Sequence, residues 1–368
     1  MNMKSLLFSV ALFCLGMATH AQTSYDITVK GLPQNARAYL ISRESKSVLD
    51  SVSASAEGVA VFRGKVPSAT VASVSLQKDF RKVVCDLVLD GDKLSLKCIE
   101  DEPAELEAGS AANRAFYAGL EGVRTASRET QKVYDDYAQL TKQYGNNVPR
   151  KETDKLRSRL EDIRQKNNAA LAESLVKNRG NMASLATLLT FSREFKPAFL
   201  KEYLQDYPYA GSEGLKPVFS MLEQEARKTP GAKVTELVMK DLQDREVRLT
   251  DWVGRGKYVL VDFWASWCGP CRAEMPNVKA AYEKYHSKGF EIVGVSFDSK
   301  KADWEKAVAE LGITWPQMSD LKGWGCAASD IYYIKSIPAT ILFDPEGRVV
   351  DTDLRGEKLA NTLAKLIK

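Results

Sequence analysis

The feature of this sequence with the most definite chemistry is a pair of cysteines separated by two residues, Cys268-Gly269-Pro270-Cys271. The pair lies between residues 258–263, an apolar run that predicts a buried strand, and residues 271–288, whose pattern predicts a helix. A thiol at the start of a helix faces unpaired backbone N–H groups and the positive end of the helix dipole, which favour the thiolate. We therefore expect Cys268 to be the nucleophile and Cys271, one turn later, to resolve the mixed disulfide. The alternatives are an inert pair or a zinc site, and zinc needs a second pair of ligands that the neighbouring sequence lacks.

Alternating strands and helices surround the motif and must position it. After the first strand and helix, the pattern predicts strands at 291–297, 340–343 and 349–354, and helices at 301–311 and 357–367. Such alternation indicates an α/β domain built on a central sheet. The turn-forming Thr229-Pro230-Gly231 precedes it, so the domain is predicted to cover residues 231–368.

The segment 261–271, VDFWASWCGPC, closely resembles the active site of thioredoxins, and the resemblance extends from about residue 233 to the end of the chain. Ile337-Pro338 looks like the cis-proline of that family, and Pro276 looks like the kink in its active-site helix. The segment 271–276, CRAEMP, is similar to the TlpA/ResA group of envelope thioredoxin-like proteins, in the AhpC/TSA and thioredoxin superfamily. The resemblance implies a thioredoxin fold, a redox disulfide between Cys268 and Cys271, and no cofactor. It also implies substrate contacts by Trp267, Gly269, Pro270, Ile337 and Pro338.

Two carboxylates near the motif are candidate acid/base groups. Asp262 matches the buried carboxylate with which thioredoxins, through a water, take the proton from the second cysteine. Burial raises a carboxyl pKa, so such a group can exchange protons near neutral pH; the simpler alternative is a strand-end residue bonded to a backbone N–H. Glu274 matches the glutamate that serves as an acid/base group in the TlpA/ResA proteins. Its spacing from Cys271 puts both on one helix face, and the alternative is a solvated side chain.

Two features depart from thioredoxin. Where thioredoxins carry a lysine near the buried Asp, the matching strand here reads IVGVS over residues 292–296, so we expect that ion pair to be missing. The stretch 298–335 is also longer than in a minimal thioredoxin, as expected for the TlpA/ResA group. It contains Cys326, for which the resemblance implies no role. A buried small residue is the favoured interpretation over a third redox cysteine.

The N-terminal part divides into two regions of different pattern. Residues 22–108 contain short β-rich runs at roughly ten-residue spacing, which predict a small antiparallel sandwich or barrel. They loosely resemble a β-rich domain of unassigned function that precedes such thioredoxin modules in exported proteins. Residues 109–230 are helical, with two long amphipathic helices that break at 145–149 and so predict a helical hairpin. The fold class is therefore multidomain: a β domain, a helical region and a thioredoxin fold.

Cys85 and Cys98 raise a separate question. Residues 85–98 read as a β-hairpin with a two-residue turn at Gly91-Asp92, and in that register Cys85 faces Cys98. The pair would then be either a cross-strand structural disulfide or two buried free thiols. A turn at Asp90-Gly91 would instead set Cys85 against Leu96 and forbid the bond.

Composition and the N-terminus restrict the function classes. Residues 1–21 have the single Lys, short apolar core and terminal small residue of a signal peptide, which predicts export to the periplasm or cell envelope. The apolar run is too short to span a membrane. The net charge of +4 is spread without a basic block, which argues against nucleic-acid binding. After cleavage His286 is the only histidine left, which argues against a metal site or a His-dependent triad.

These observations predict an exported thiol–disulfide oxidoreductase. The reductant direction is favoured, because Gly-Pro between the cysteines resembles thioredoxin, whose potential is near −270 mV against about −120 mV for the oxidant DsbA. Its expected partners are protein thiols or disulfides and an electron donor in the envelope, with a homodimer through the helical region as a further expectation. One alternative is a thiol peroxidase, although the position of the peroxidatic Thr is occupied by Ala265. The other is a binding module that uses the helical hairpin.

Overall fold

The computed structural model describes residues 22–368, so the predicted signal peptide lies outside the described residues. Packing divides the chain into two compact units, one ending at Leu215 and the other covering Lys216–Lys368. The β-rich region and most of the helical region, predicted as separate domains, therefore share one unit. The boundary also falls earlier than residue 231, because the helix that begins at Lys216 belongs to the C-terminal unit.

The N-terminal unit contains two four-stranded sheets, with orders β4-β1-β7-β8 and β3-β2-β5-β6. The predicted β-rich region is confirmed, with two strands that the sequence pattern did not indicate, β3 and β8. The pairing is antiparallel except between β1 and β7, which run parallel. The strands are β1 (Thr23–Lys30), β2 (Arg37–Ser42), β3 (Val48–Ser53), β4 (Ala60–Val66), β5 (Thr70–Ser75), β6 (Val83–Leu89), β7 (Lys93–Ile99) and β8 (Glu102–Ala108).

The predicted hairpin of residues 85–98 is wrong. Strand β6 pairs with β5, and β7 pairs with β1 and β8, so the chain crosses from one sheet to the other at residues 90–92. Cys85 and Cys98 are both free thiols in the structure, with Cys85 buried, Cys98 only partly buried and a hydrogen bond between their side chains. Strand alternation caused the error, because it determines which side chains are buried but not which strand is the partner.

The helices of this unit follow the predicted pattern. The long helices α2 (Glu121–Tyr144) and α3 (Arg150–Lys177) form the expected hairpin, with Val133 and Leu156 buried and an Asp136–Arg159 ion pair at 2.6 Å between them. The shorter helices are α1 (Ala111–Gly119), α4 (Met182–Phe191) and α5 (Pro197–Tyr203). The buried Asn113 amide joins α1 to β6 by bonding both Val88 N–H and Val88 C=O, at 2.9 and 2.8 Å. Side-chain bonds of this kind unite the sheets and helices in one unit.

The C-terminal unit is built on a seven-stranded sheet of order β10-β9-β13-β12-β11-β14-β15. Strands β11, β12 and β13 run parallel, and β14 runs antiparallel to β11. The α/β thioredoxin fold is confirmed. Its strands are β9 (Val238–Lys240), β10 (Glu246–Arg248), β11 (Tyr258–Trp264), β12 (Phe290–Ser296), β13 (Gln317–Ser319), β14 (Ala339–Phe343) and β15 (Val349–Thr352).

Five helices complete this unit: α6 (Lys216–Ala226), α7 (Gly269–Tyr285), α8 (Lys301–Leu311), α9 (Ala327–Ile331) and α10 (Gly356–Leu366). The central strands β11, β12 and β14 are almost entirely buried, as expected for a sheet covered on both faces. Among residues 22–368, no helix is both long and apolar enough to cross a membrane.

Candidate active site

The two active-site cysteines form a disulfide at the junction between β11 and α7. Their Cα atoms are 5.3 Å apart, and both side chains are buried. Cys268 is the N-cap of α7, and its sulfur accepts a hydrogen bond from the Cys271 N–H at 3.2 Å. Because the first backbone N–H groups of a helix have no partner within it, this position stabilises negative charge on the Cys268 sulfur after reduction.

The loop before the disulfide is held by an aspartate that sequence reasoning did not identify. The buried Asp298 carboxylate accepts hydrogen bonds from the Ser266 N–H at 3.0 Å and the Ser266 hydroxyl at 2.5 Å. The Ser296 hydroxyl donates a third bond to it at 2.7 Å. These bonds fix the backbone two residues before Cys268.

Asp262 lies in the middle of the sheet, on β11, with only 5% of its surface exposed. Its register partners on the two neighbouring strands are Gly294 and Thr340, neither of which carries a charge. Burial, assisted by the negative charge of Glu274, raises the pKa of Asp262 to about 7. A carboxyl with that pKa can both donate and accept a proton near neutral pH.

Glu274 is brought into electrostatic range of Asp262, as its effect on the Asp262 pKa shows. One carboxylate oxygen accepts a hydrogen bond from the Gly356 N–H at 2.6 Å, and the other accepts one from the Asn277 side chain at 3.1 Å. Glu274 is therefore tied to the start of α10 across the site. The alternative of an unconstrained, solvated helix residue does not describe this geometry.

Arg355 is a cation whose charge acts on the pKa of Asp262. Its positive charge opposes the rise in the Asp262 pKa, and its guanidinium donates a hydrogen bond to the Pro338 carbonyl. Gly294 occupies the neighbouring position on β12, so the lysine of thioredoxins is missing from that strand, as predicted. The charge comes instead from the loop after β15.

The Ile337–Pro338 peptide bond is cis, as predicted. Ala339, which follows it, is the register partner of Phe263 on β11. Pro338 therefore lies at the end of the sheet from which the chain continues to Cys268. The predicted substrate contacts at Trp267, Gly269 and Pro270 surround the disulfide along the chain, and Trp267 is 55% exposed.

Comparison with known proteins shows the family of this chain. The AhpC/TSA family model matches residues 230–352. The thiol-disulfide oxidoreductase ResA of Bacillus subtilis (strain 168) is 30% identical over 140 residues, which cover 38% of this chain and 75% of that protein. The chain belongs to the ResA-like thiol–disulfide oxidoreductases. The predicted resemblance to the TlpA/ResA group is thereby confirmed.

Other ResA-like relatives match the same region. The ResA of Geobacillus thermodenitrificans (strain NG80-2) is 36% identical over 119 residues, 32% of this chain and 66% of that protein. The chain therefore spans somewhat less than two thirds of that relative's length. The crystal structure of the thioredoxin domain of a thiol-disulfide oxidoreductase from Bacteroides vulgatus is 38% identical and covers 38% of this chain and 99% of that chain, with a TM-score of 0.36.

Three residues of this ResA-like site escaped sequence reasoning: Asp298, Arg355 and Trp324, whose ring lies against that of Trp267. Only Asp298 carries a sequence signal, because it lies two residues after the end of a buried strand. Cys326 is fully buried, and burial raises its thiol pKa to about 12, as expected for a packing residue. Within residues 22–368, no group of three or more His, Cys, Asp or Glu side chains is placed to hold a metal ion.

Proposed function

We propose that this chain is an exported reductase of protein disulfides, which receives its electrons from a donor in the cell envelope. The observation that carries the proposal is the Cys268–Cys271 disulfide at the N-terminus of α7. Export rests on the signal-peptide pattern of residues 1–21, and the reducing direction rests on Gly269-Pro270 between the cysteines.

The reduction of a substrate proceeds through two thiol–disulfide exchanges. In the first, the Cys268 thiolate attacks one sulfur of the substrate disulfide, and the other substrate sulfur leaves as a thiolate that takes up a proton. In the second, Cys271 loses its proton and attacks the Cys268 sulfur, which releases the second substrate thiolate. Two electrons have then passed to the substrate, and the chain holds the Cys268–Cys271 disulfide seen in the structure. A donor dithiol restores the reduced form by the reverse exchanges.

Proton transfer in the second exchange is assigned to Asp262. Because its pKa is raised to about 7, both the protonated and the ionised carboxyl are accessible near neutral pH, and the ionised form can accept the Cys271 proton. The negative charge of Glu274 contributes to the raised pKa of Asp262, after burial. We assign the larger part to Asp262 because it is the more deeply buried.

Reduction of insulin by the chain from residue 22 onward, with dithiothreitol as donor, tests the activity. Wild type should precipitate insulin, Cys268→Ser should not, and Cys271→Ser should accumulate mixed disulfides. In the reduced protein near neutral pH, Cys268 should be alkylated faster than any other thiol. Equal alkylation of Cys268 and Cys271 would contradict the assigned roles.

Equilibration with glutathione tests the direction. A potential near that of thioredoxin, about −270 mV, supports a reductase, whereas one near −120 mV would make the chain an oxidant. Consumption of hydrogen peroxide without insulin reduction would favour the peroxidase alternative. A homodimer through the helical hairpin stays a prediction, and the molar mass in solution tests it.

A further inference from the structure

Two exposed tryptophans lie together beside the active-site cysteine. Trp267, the residue before Cys268, is 55% exposed, and Trp324 is 48% exposed. Their ring centroids are 6.1 Å apart, and the rings are tilted by 55° rather than stacked. Trp264, Trp304 and Trp315, by contrast, are buried. An exposed aromatic cluster of this kind is typical of an interaction surface.

Asp298 is hydrogen-bonded to the backbone next to both tryptophans. The Asp298 carboxylate binds Ser266, the neighbour of Trp267, and the Asp298 carbonyl accepts a hydrogen bond from the Gly323 N–H at 3.4 Å, next to Trp324. The two tryptophans are therefore positioned by a common anchor, although they are 57 positions apart in the chain.

The turn that carries Trp324 is also fixed from its other side. The N–H of the fully buried Cys326 donates to the Gly323 carbonyl at 3.0 Å, and the Trp324 ring packs edge-on against Phe297 at 5.3 Å. The exposed ring is thus held on an ordered support. A surface that is ordered before binding loses little conformational entropy when a partner docks.

We propose that Trp267 and Trp324 form a docking surface for the substrate polypeptide, and that it selects an aromatic side chain next to the substrate cysteine. The proposal rests on the proposed function. In the mixed disulfide the substrate sulfur is bonded to Cys268, so the residues that flank the substrate cysteine must lie against the surface around Cys268. On the Trp267 side that surface is aromatic. Aromatic rings attract one another beyond the contribution of buried area, which makes an aromatic substrate residue the best partner.

The test measures selectivity, using two peptides that differ at one position. Each has a single cysteine bonded to thionitrobenzoate, with either Trp or Ala next to that cysteine. Attack by Cys268 of the reduced chain, residues 22–368, releases coloured thionitrobenzoate and leaves the peptide bonded to Cys268 until Cys271 displaces it. Because both peptides have the same leaving group, the ratio of their rate constants reports only the flanking side chain.

Wild type should react about tenfold faster with the Trp peptide than with the Ala peptide. Trp324→Ala should bring that ratio close to one, and Trp324→Phe should restore most of it. Tyr134→Ala, which removes an exposed aromatic ring from α2, is the matched control and should keep the wild-type ratio. If Trp324→Ala lowers the melting temperature, Trp324→Gln provides the ring-free variant.

A wild-type ratio near one, or an unchanged ratio in the ring-free variants, would overturn the docking surface. Rapid release with a ratio near one leaves the proposed function standing. If wild type releases thionitrobenzoate from the two peptides no faster than Cys268→Ser does, and also reduces 2-hydroxyethyl disulfide no faster, the proposed function itself fails.

Discussion

Each unit of this chain contains one pair of neighbouring cysteines, and the two pairs have different chemistry. In the C-terminal unit, Cys268 and Cys271 form a disulfide at the N-terminus of a helix. In the N-terminal unit, Cys85 and Cys98 are free thiols on strands of different sheets. The hydrogen bond with Cys98, together with burial, raises the pKa of the Cys85 thiol.

The two pairs differ in the backbone that surrounds them. A helix start offers unpaired N–H groups to a thiolate, whereas backbone groups in a sheet are paired with neighbouring strands. The hydrogen bond between the two thiols raises the pKa of Cys85 and lowers that of the partly buried Cys98. Because Cys268 caps a helix whereas Cys85 and Cys98 lie on strands, we expect the Cys268/Cys271 pair to carry the activity.

The largest expected effect is on the rate of insulin reduction, which should depend on the Cys268/Cys271 pair and not on the Cys85/Cys98 pair. Cys268→Ser should lower the rate of insulin reduction by at least about a thousandfold, because it removes the nucleophile. Cys85→Ala should change that rate by less than about twofold and lower the free energy of unfolding by about 1 kcal/mol. Parallel insulin assays and urea denaturation measure both. A comparable loss of activity in Cys85→Ala would remove the distinction between the pairs.

The next effect is the pH dependence of the free energy of unfolding that Asp262 causes, measured in the oxidised protein. The pKa of Asp262 is raised in the folded state from 3.8 to about 7, so folding favours the protonated form. The destabilisation is therefore absent below pH 4, grows as the pH rises towards 7, and is constant above it. Each pH unit between the two pKa values is worth about 1.4 kcal/mol, so full ionisation destabilises the fold by about 4 kcal/mol.

Asp262→Asn should abolish this pH dependence. The variant should match wild type near pH 4 and be more stable by up to about 4 kcal/mol at pH 8. The exposed Asp303→Asn is the control and should keep the wild-type slope. Urea denaturation at several pH values measures the difference, and a variant less stable than wild type at pH 8 would contradict a buried, ionised Asp262.

A smaller effect should distinguish the two carboxylates of the site. Asp262→Asn should slow disulfide exchange on the order of 10²-fold at pH 7, the lower range for a general acid/base group. Glu274→Gln should slow it less, because its side chain is only partly buried. Stopped-flow rates on a peptide disulfide measure both. A greater loss in Glu274→Gln would assign the acid/base chemistry to the helix glutamate instead.

The smallest effect comes from Arg355. Its charge lowers the pKa of Asp262, so Arg355→Gln should raise that pKa and move the pH dependence of the exchange rate to higher pH. Since 44% of the Arg355 side chain is exposed, solvent screens the interaction, and the rate at pH 7 should fall only about twofold. Arg355→Lys, which keeps the charge, should lie closer to wild type. A shift to lower pH would contradict the assigned sign.

Most features that arise from local sequence were predictable. The α2–α3 hairpin follows from its apolar spacing and the break at residues 145–149, and α8 has the predicted bounds of Lys301–Leu311. The cysteine motif and the α/β order could be predicted from consecutive residues, whereas the cis-proline was predicted from the resemblance to thioredoxins. Local conformational preferences act within such segments and need no distant partner.

The pairing of strands was not determined by the sequence pattern. Leu87 and Leu89 on β6, and Leu94 and Leu96 on β7, are buried in the structure, as the predicted hairpin also required. Alternation is satisfied equally by two strands of one sheet and by two strands of different sheets. The packing of the whole N-terminal unit decides which of these two arrangements forms. It thereby also decides the surroundings of Cys85 and Cys98.

The surroundings of the active-site disulfide divide in the same way. The sequence by itself determined that Asp262, Cys268 and Cys271 follow one another in a strand–loop–helix segment, because this depends on local pattern alone. Only the tertiary structure brought Trp324 against Trp267. It also placed Arg355 at the Pro338 carbonyl and within electrostatic range of Asp262. The Gly356 N–H reaches Glu274 for the same reason. The physical reason is that these contacts join residues separated by long stretches of chain, whose closure is decided by burial of the common core and not by any local preference.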